Sequence, residues 1–348
     1  MGARVGVLTF SDGRKYVHED LLGVTQRHQD RLVRVLERLG IEVIAGSEII
    51  WNAECARREA RRIAAAGVDL TIFNYAIWAF PHLSAISSQF APGPFLMFCN
   101  LNPSEPGMVG MLAAAGTMEQ LGRVHTRIWG DIEEPTVQAR VLAYIRAATA
   151  LSRLRGQTFG LFGGRPLGMY TAVANLDQWS SLFGVDVEHL EQEDIVRAAA
   201  DVDPARVERG LHWLERLVGS IRYDNRVLTP EKLKLQIRSY HAARAIIAER
   251  QLDFVGFKAH GDLTDRFVTM DVAEAFLNDP YDWEGPHEPI VAATEADMDG
   301  ALTMQILKHI TGQTGLFSDV RHYDARDRVW YFANSGTHPT FFAGRSLD

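Results

Sequence analysis

In the stretch VAATEADMDGALTMQIL, residues 291–307, three acids (Glu295, Asp297 and Asp299) stand between an apolar run and an amphipathic one. Carboxylates in that place can do two kinds of work. They can cap and charge a helix N-terminus, where free N–H groups and the dipole favour an acceptor and negative charge. They can also hold a hard divalent cation through oxygen, or move protons. Asp297 and Asp299 fit the first role as residues of an opening helical turn. Glu295 directly follows the strand-like run PIVAAT, and ligands of parallel sheets bind outside the carboxyl ends of strands. Two more such exits carry polar groups: Lys258 and His260 after DFVGF, and Asp319 after TGLFS. Carboxylates from neighbouring strand ends suit Mg2+ or Mn2+, or a proton donor and acceptor pair. On the residues alone, capping and chemistry both stay open for Glu295.

Other motifs narrow the choice. GLFGGRPLG, residues 160–168, has the order strand, glycine turn, helix start, but matches neither GxGxxG nor GxxxxGK[ST]. It reads as a tight turn on the same edge as Glu295. There is no HExxH, no His pair at helical spacing and no GxSxG, so zinc-protease and serine-hydrolase chemistry fall away. His309 lies in a helical pattern, His322 is a neighbour group at most, and His338 of SGTHPT is the late His in a ligand-like setting.

The elements that must position these residues alternate. Short β-branched runs (RVGVLTF, EVIAG, DLTIFNY, PFLMFCN) are separated by helical patterns such as RHQDRLVRVLERLG, with Leu32, Val35, Leu36 and Leu39 on one face and Gly40 beyond the end. This is the grammar of βαβ units and a mostly parallel sheet. TVQARVLAYIRAATALSRLRG is a long amphipathic helix leading into a second unit with the same grammar: QTFGLFG, VDVEHL, DFVGFKA, PIVAAT, TGLFSD and RVWYFAN as strands. PLGMYTAVANLDQWSSLFG, LTDRFVTMDVAEAFLND and EADMDGALTMQILKHITG are the expected helices around them. The fold class expected is thus α/β, two consecutive Rossmann-like parallel-sheet domains, over residues 1–155 and 156–348.

Composition excludes several partners. A net charge of -8 over 348 residues disfavours nucleic acid and anionic membrane surfaces, which need an excess of Lys and Arg. No window approaches the roughly 20 apolar residues of a membrane span, and the N-terminus lacks a signal-peptide pattern. Two distant cysteines, Cys55 and Cys99, make no disulfide framework. A cytoplasmic location is the expectation.

The block from GFKAHGDLTDRF through VAATEADMDGALTMQIL to LFSDVRHYD closely resembles the metal-site region of the L-fucose/L-arabinose isomerase family. SDGRKYVHEDL and LFGGRPLGMYTAVANLDQWSSLFGVDVEHL extend the resemblance over nearly the whole chain. It implies an aldose–ketose isomerase that works on an open-chain, fucose- or arabinose-like sugar by a cis-enediol route with a divalent metal, usually Mn2+, with Mg2+ or Co2+ as substitutes. It implies that Glu295 and Asp319 bind the metal and serve as the acid/base pair, and that Arg14 and Trp78 contact sugar. Lys258 stands where fucose isomerases have Gln, a departure that bears on sugar choice. The family's third metal ligand is a His in a C-terminal domain beyond NSGTHPTFFAGRS. The expectation is therefore a chain that stops short of it, with His338 a loose match to a metal-ligand His of arabinose isomerases. Sites shared between subunits imply a homo-oligomer. A sugar-binding or regulatory α/β protein is the competing reading; it would use the acids as hydrogen-bond partners, and would not need the EPIVAATEADMDGALTM context.

Overall fold

A computed structural model describes residues 2–334 and 338–344. The chain divides into two compact units, Met1–Arg153 and Leu154–Asp348. In the first, β1 (Arg4–Phe10), β2 (Glu42–Ala45), β3 (Leu70–Tyr75), β4 (Phe95–Cys99) and β5 (His125–Trp129) alternate with α1 (Lys15–Arg38), α2 (Ala53–Ala65), α3 (Pro81–Ser87), α4 (Gly107–Gln120) and α5 (Pro135–Leu154). The strands form one parallel sheet in the order β2-β1-β3-β4-β5. Strand β3, LTIFNY, is buried along its whole length because helices cover both faces. Val5, Val7 and Ile72 pack with Leu32, Leu36 and Val141 on one side, while Leu8, Phe10 and Phe73 pack with Ala56, Ile63 and Met111 on the other. Cys55 and Cys99 are buried and free.

The second unit holds β6 (Thr158–Phe162), α6 (Leu176–Gln178), β7 (Asp186–Leu190), α7 (Gln192–Ala200), α8 (Pro204–Leu217), α9 (Pro230–Arg250) and β8 (Phe254–Phe257). These are followed by α10 (Leu263–Arg266), α11 (Asp271–Asn278), β9 (Tyr281–Asp282), β10 (Gly285–Pro286), β11 (Val291–Thr294), α12 (Met298–Thr311), β12 (Asp319–Asp324), β13 (Val329–Ala333) and α13 (Phe341–Gly344). Its parallel sheet runs β11-β8-β6-β7. Alternation along β8 sends Phe254 to a core with Trp179 and Met298, and Val255 to the opposite core with Tyr240 and Phe276. Both sheets reverse their strand order between the first and third strands of the unit, which opens a crevice at the carboxyl edge there. Among the described residues no helix is long and apolar enough to cross a membrane.

Three expectations need correction. The segment from Pro166 does not start a helix: Leu167 and Gly168 take left-handed backbone (φ 45° and 75°), which breaks it. After a single 3-10 turn over Tyr170–Ala172, α-helical structure begins at Leu176 behind the Asn175 cap, whose side chain accepts from Gln178 N, and runs on as a π-turn over Trp179–Phe183. LTDRFVTMDVAEAFLND splits into α10 and α11, the first ending at the C-cap Phe267, whose backbone (φ -135°, ψ -89°) is not helical. Most consequentially, TGLFSD is not a strand of the parallel sheet. Asp324 Oδ1 accepts from the N–H groups of Arg326 and Asp327, closing a turn. The turn folds β12 back onto β13 as a separate antiparallel hairpin. Local pairing satisfies the strand without a place beside β11, so Asp319 opens a hairpin strand instead of ending a parallel one.

Candidate active site

The carboxyl edge of the second unit is built around two left-handed turns. β11 ends at Thr294, and Glu295 and Ala296 follow with φ of 58° and 52°. Two consecutive non-glycine residues in that region are costly, on the order of 1–2 kcal/mol each. Strain of this kind persists where the surroundings over-determine it. Gly256 in the neighbouring strand is part of those surroundings: a Cβ there would lie 2.9 Å from Ala296 Cα. Asp297 then caps α12, its Oδ1 accepting from Gly300 N at 2.9 Å, and burial raises its pKa. Asp299 accepts from Trp179 Nε1 at 3.1 Å.

After β8 the chain makes a second left-handed turn at Ala259 and Gly261, with φ of 50° and 73°. Gln192 staples it, its Oε1 accepting from Ala259 N and its Nε2 donating to Asp262 Oδ2. Between these two residues His260 projects toward the adjacent exit, and its Nε2 stands 3.4 Å from Glu295 Oε1. Both side chains are partly open to solvent, at 37% and 27%. Lys258 lies against Gly163 of the glycine turn, where a Cβ would come within 2.8 Å of Lys258 Cβ. Its ammonium has no hydrogen-bond or ion-pair partner among the described residues. The residues that sequence reasoning missed lie behind this edge. Glu274 of α11 is 1% exposed, and burial, with Asp271 and Glu295 nearby, pushes its carboxyl up to about 8. Asp271, near His260, is also raised by burial. An acid amid the apolar residues of VAEAFL was the available signal.

Asp319 is exposed at the start of β12 and lies within electrostatic reach of Asp297. His338 is exposed, with Nε2 3.1 Å from the Oγ of Ser318. Among the described residues no three His, Cys, Asp or Glu side chains come together as a group that could hold a metal ion. Glu295, Asp319 and His338 therefore do not assemble a coordination shell, and the donor set does not fit a metal as it stands.

In the first unit, Arg14 and Trp78 follow β1 and β3, the strands that flank the reversal of strand order. Asp12, 1% exposed, holds Arg14 in a fork: Nε donates to Oδ1 at 2.9 Å and Nη2 to Oδ2 at 2.6 Å. That pairing lowers the Asp12 pKa and fixes a guanidinium whose side chain is still 53% exposed. The two loops touch, since a Cβ on Gly13 would meet the Phe80 ring at 2.5 Å. Helix α4 presses on the Trp78 loop from behind: a Cβ on Gly110 would lie 2.7 Å from Ile77 O and 3.0 Å from Ala79 N. Backbone cannot yield as a flexible side chain does. Gly110→Ala is expected to destabilise this unit by about 2 kcal/mol, read as a lower midpoint in urea; an unchanged midpoint contradicts the contact.

Two doubly wound α/β units, each with polar side chains at the carboxyl edge, place the chain in the Rossmann-like class. Residues 2–156 match the family L-fucose isomerase, first N-terminal domain, and residues 240–312 match L-fucose isomerase, second N-terminal domain. The chain belongs to the L-fucose isomerase family. It is 26% identical over 333 residues to the L-fucose isomerase of Salmonella paratyphi B, covering 84% of this chain and 55% of that protein. It is 27% identical over the same span to the Salmonella heidelberg enzyme, with the same coverage of both chains. The chain thus spans about half the length of the curated relatives it matches. An ABC sugar transporter subunit from Rhodobacter sphaeroides overlies 90% of this chain and 93% of its own at 12% identity, with a TM-score of 0.23, too low to relate the two folds.

Proposed function

We propose that this chain acts in aldose–ketose isomerisation of a fucose- or arabinose-like sugar, as a cytoplasmic homo-oligomer. The observation that carries the reading is the Glu295 carboxylate, held on a strained turn, open to solvent, and backed by His260 at 3.4 Å. A base in such a setting is pre-aimed. In the open-chain aldose, Glu295 takes the proton from C2 while the C2–H electrons form the C1=C2 bond, the C1=O1 π electrons pass to O1, and O1 takes a proton from the Asp319 carboxyl, giving a cis-enediol. Glu295 then gives its proton to C1, where the C1=C2 electrons form the C–H bond, as O2–H returns a proton to Asp319 and becomes C2=O2, and the product is the ketose. One base on one face suffices for both transfers. Asp319 is the second carboxylate of the pair. Arg14, Trp78 and Lys258 are the sugar-binding groups, and the unpaired Lys258 ammonium favours a substrate rich in acceptor oxygens.

A divalent cation, Mn2+ first and Mg2+ or Co2+ as substitutes, belongs to the proposal, with Glu295, Asp319 and His338 as its candidate donors. Those donors stand apart in this structure, and every transfer above is assigned to protein groups. Calorimetric titration of Mn2+ tests the assignment. Asp319→Asn is expected to weaken binding at least about tenfold; equal affinity in wild type and variant removes Asp319 from the site.

A further inference from the structure

The strained exit of β11 is braced from one side by α11. Among the described residues β11 is an edge strand that pairs only with β8, so its other edge presents backbone groups that need partners. Asn278 supplies them: its Nδ2 donates to Ala292 O at 2.8 Å and its Oδ1 accepts from Ala292 N at 3.1 Å. One helical turn earlier, Glu274 Oε2 accepts from the Thr294 hydroxyl at 2.8 Å. The two spacings match, since four helical residues rise about 6 Å and two strand residues about 6.6 Å. Helix and strand run antiparallel and are pinned at two points, and the second pin falls on the residue immediately before Glu295.

Glu274 is an expensive choice for a pin. It is buried, and its Oε1 has no hydrogen-bond partner among the described residues. A side chain that only filled this space could be apolar, as its neighbours Ala273, Ala275 and Phe276 are. What the carboxyl alone provides is an acceptor for Thr294, a β-branched residue whose χ1 is stiff and whose orientation sets where the chain turns next.

We propose that Glu274 is the positioning residue of this site: through Thr294 it holds the left-handed Glu295–Ala296 turn that presents the Glu295 carboxylate to His260. The inference rests on the isomerase reading for what Glu295 does once presented, and on geometry alone for the presentation.

Three variants test it: Glu274→Ala, Glu274→Gln and Thr294→Val. Glu274→Ala is expected to lower kcat by at least about tenfold with KM nearly unchanged, because small misplacement of a reacting group costs rate before binding. Glu274→Gln, whose amide oxygen still accepts from Thr294, is expected to restore kcat to within about threefold. Thr294→Val reproduces the loss, and combining it with Glu274→Ala adds little, as for partners in one interaction. Crystal structures give the readout that packing alone does not move: positive φ at Glu295 and its His260 contact kept in the Gln variant, lost in Thr294→Val and Glu274→Ala. Thr294→Val decides the matter where Glu274→Ala fails to fold. A Glu295 turn intact in Thr294→Val overturns the proposal. Should wild type convert no aldose, the isomerase reading falls, and the crystal structures still decide whether Glu274 sets the turn.

Discussion

Glu295→Gln is expected to reduce the isomerisation kcat by on the order of 10³-fold while KM and the fold stay close to wild type. The amide keeps the shape and one acceptor oxygen, so the contact to His260 Nε2 survives. What it cannot do is take a proton from carbon. The proposed sugar-binding groups are Arg14, Trp78 and Lys258, none of which the substitution changes, so kcat is expected to fall without KM. Two measurements check the result. Ketose formation from a panel of aldoses gives the rate, and incorporation of deuterium from heavy water at C1 reports whether a solvent-exchanging base carries the proton. Wild type should incorporate deuterium and the variant should not. Equal turnover in both proteins removes Glu295 from proton transfer. Absence of turnover in wild type would instead favour the sugar-binding reading, in which the carboxylate only accepts hydrogen bonds from hydroxyls. Sugar affinity is the discriminating control, because a binding protein loses affinity and an isomerase loses rate.

Much of this arrangement is legible in the residues, and the failures have physical causes. Continuous apolar runs such as LTIFNY and PFLMFC declare strands covered on both faces. HTRIW escapes notice because it is an edge strand with only Ile128 buried, so its side chains carry no alternating signal. Glu295 is visible as an acid directly after a strand-like run, and Asp297 as a cap, because both follow from chain direction. Asp319 misleads for the same reason. The run before it looks like one more parallel strand, and only the Asp324 turn, a short-range hydrogen-bond pattern, reveals the hairpin. His260 is found among the polar exits, yet its pairing with Glu295 depends on β8 and β11 being neighbours, which is a matter of strand order. Glu274 is hardest of all. A single acid in a helix is read as facing solvent, and its burial is decided by the strand it packs on.

That burial has a measurable consequence independent of any substrate. In the folded chain Glu274 keeps its proton up to about pH 8, whereas an ordinary glutamate releases it near 4.5. Between those values the folded state binds one proton more than the unfolded state, so stability falls as pH rises through the window, and the loss is complete above it. At about 1.4 kcal/mol per tenfold change in proton affinity, the loss is on the order of 5 kcal/mol. Glu274→Gln removes the titrating group and with it this slope. The charged groups near Glu274 are Asp271 and Glu295, with His260 close to both; they remain in the variant, and the difference between the two proteins isolates Glu274. The Gln amide nitrogen takes the place of the unpartnered Oε1 at a cost of about 1–3 kcal/mol, which displaces the whole curve without tilting it. Urea unfolding of both proteins at pH 5, 7 and 9 reads the result. The expected outcome is that the variant is the weaker protein at pH 5 and the stronger at pH 9. Parallel curves would mean that Glu274 is ionised in the fold at neutral pH. An unpartnered carboxylate oxygen would then have to be tolerated in the core, and that is a less favourable state than the neutral acid bound to Thr294. A protein that accepts this alkaline weakness to keep an acid behind Glu295 is trading stability for the geometry of one turn.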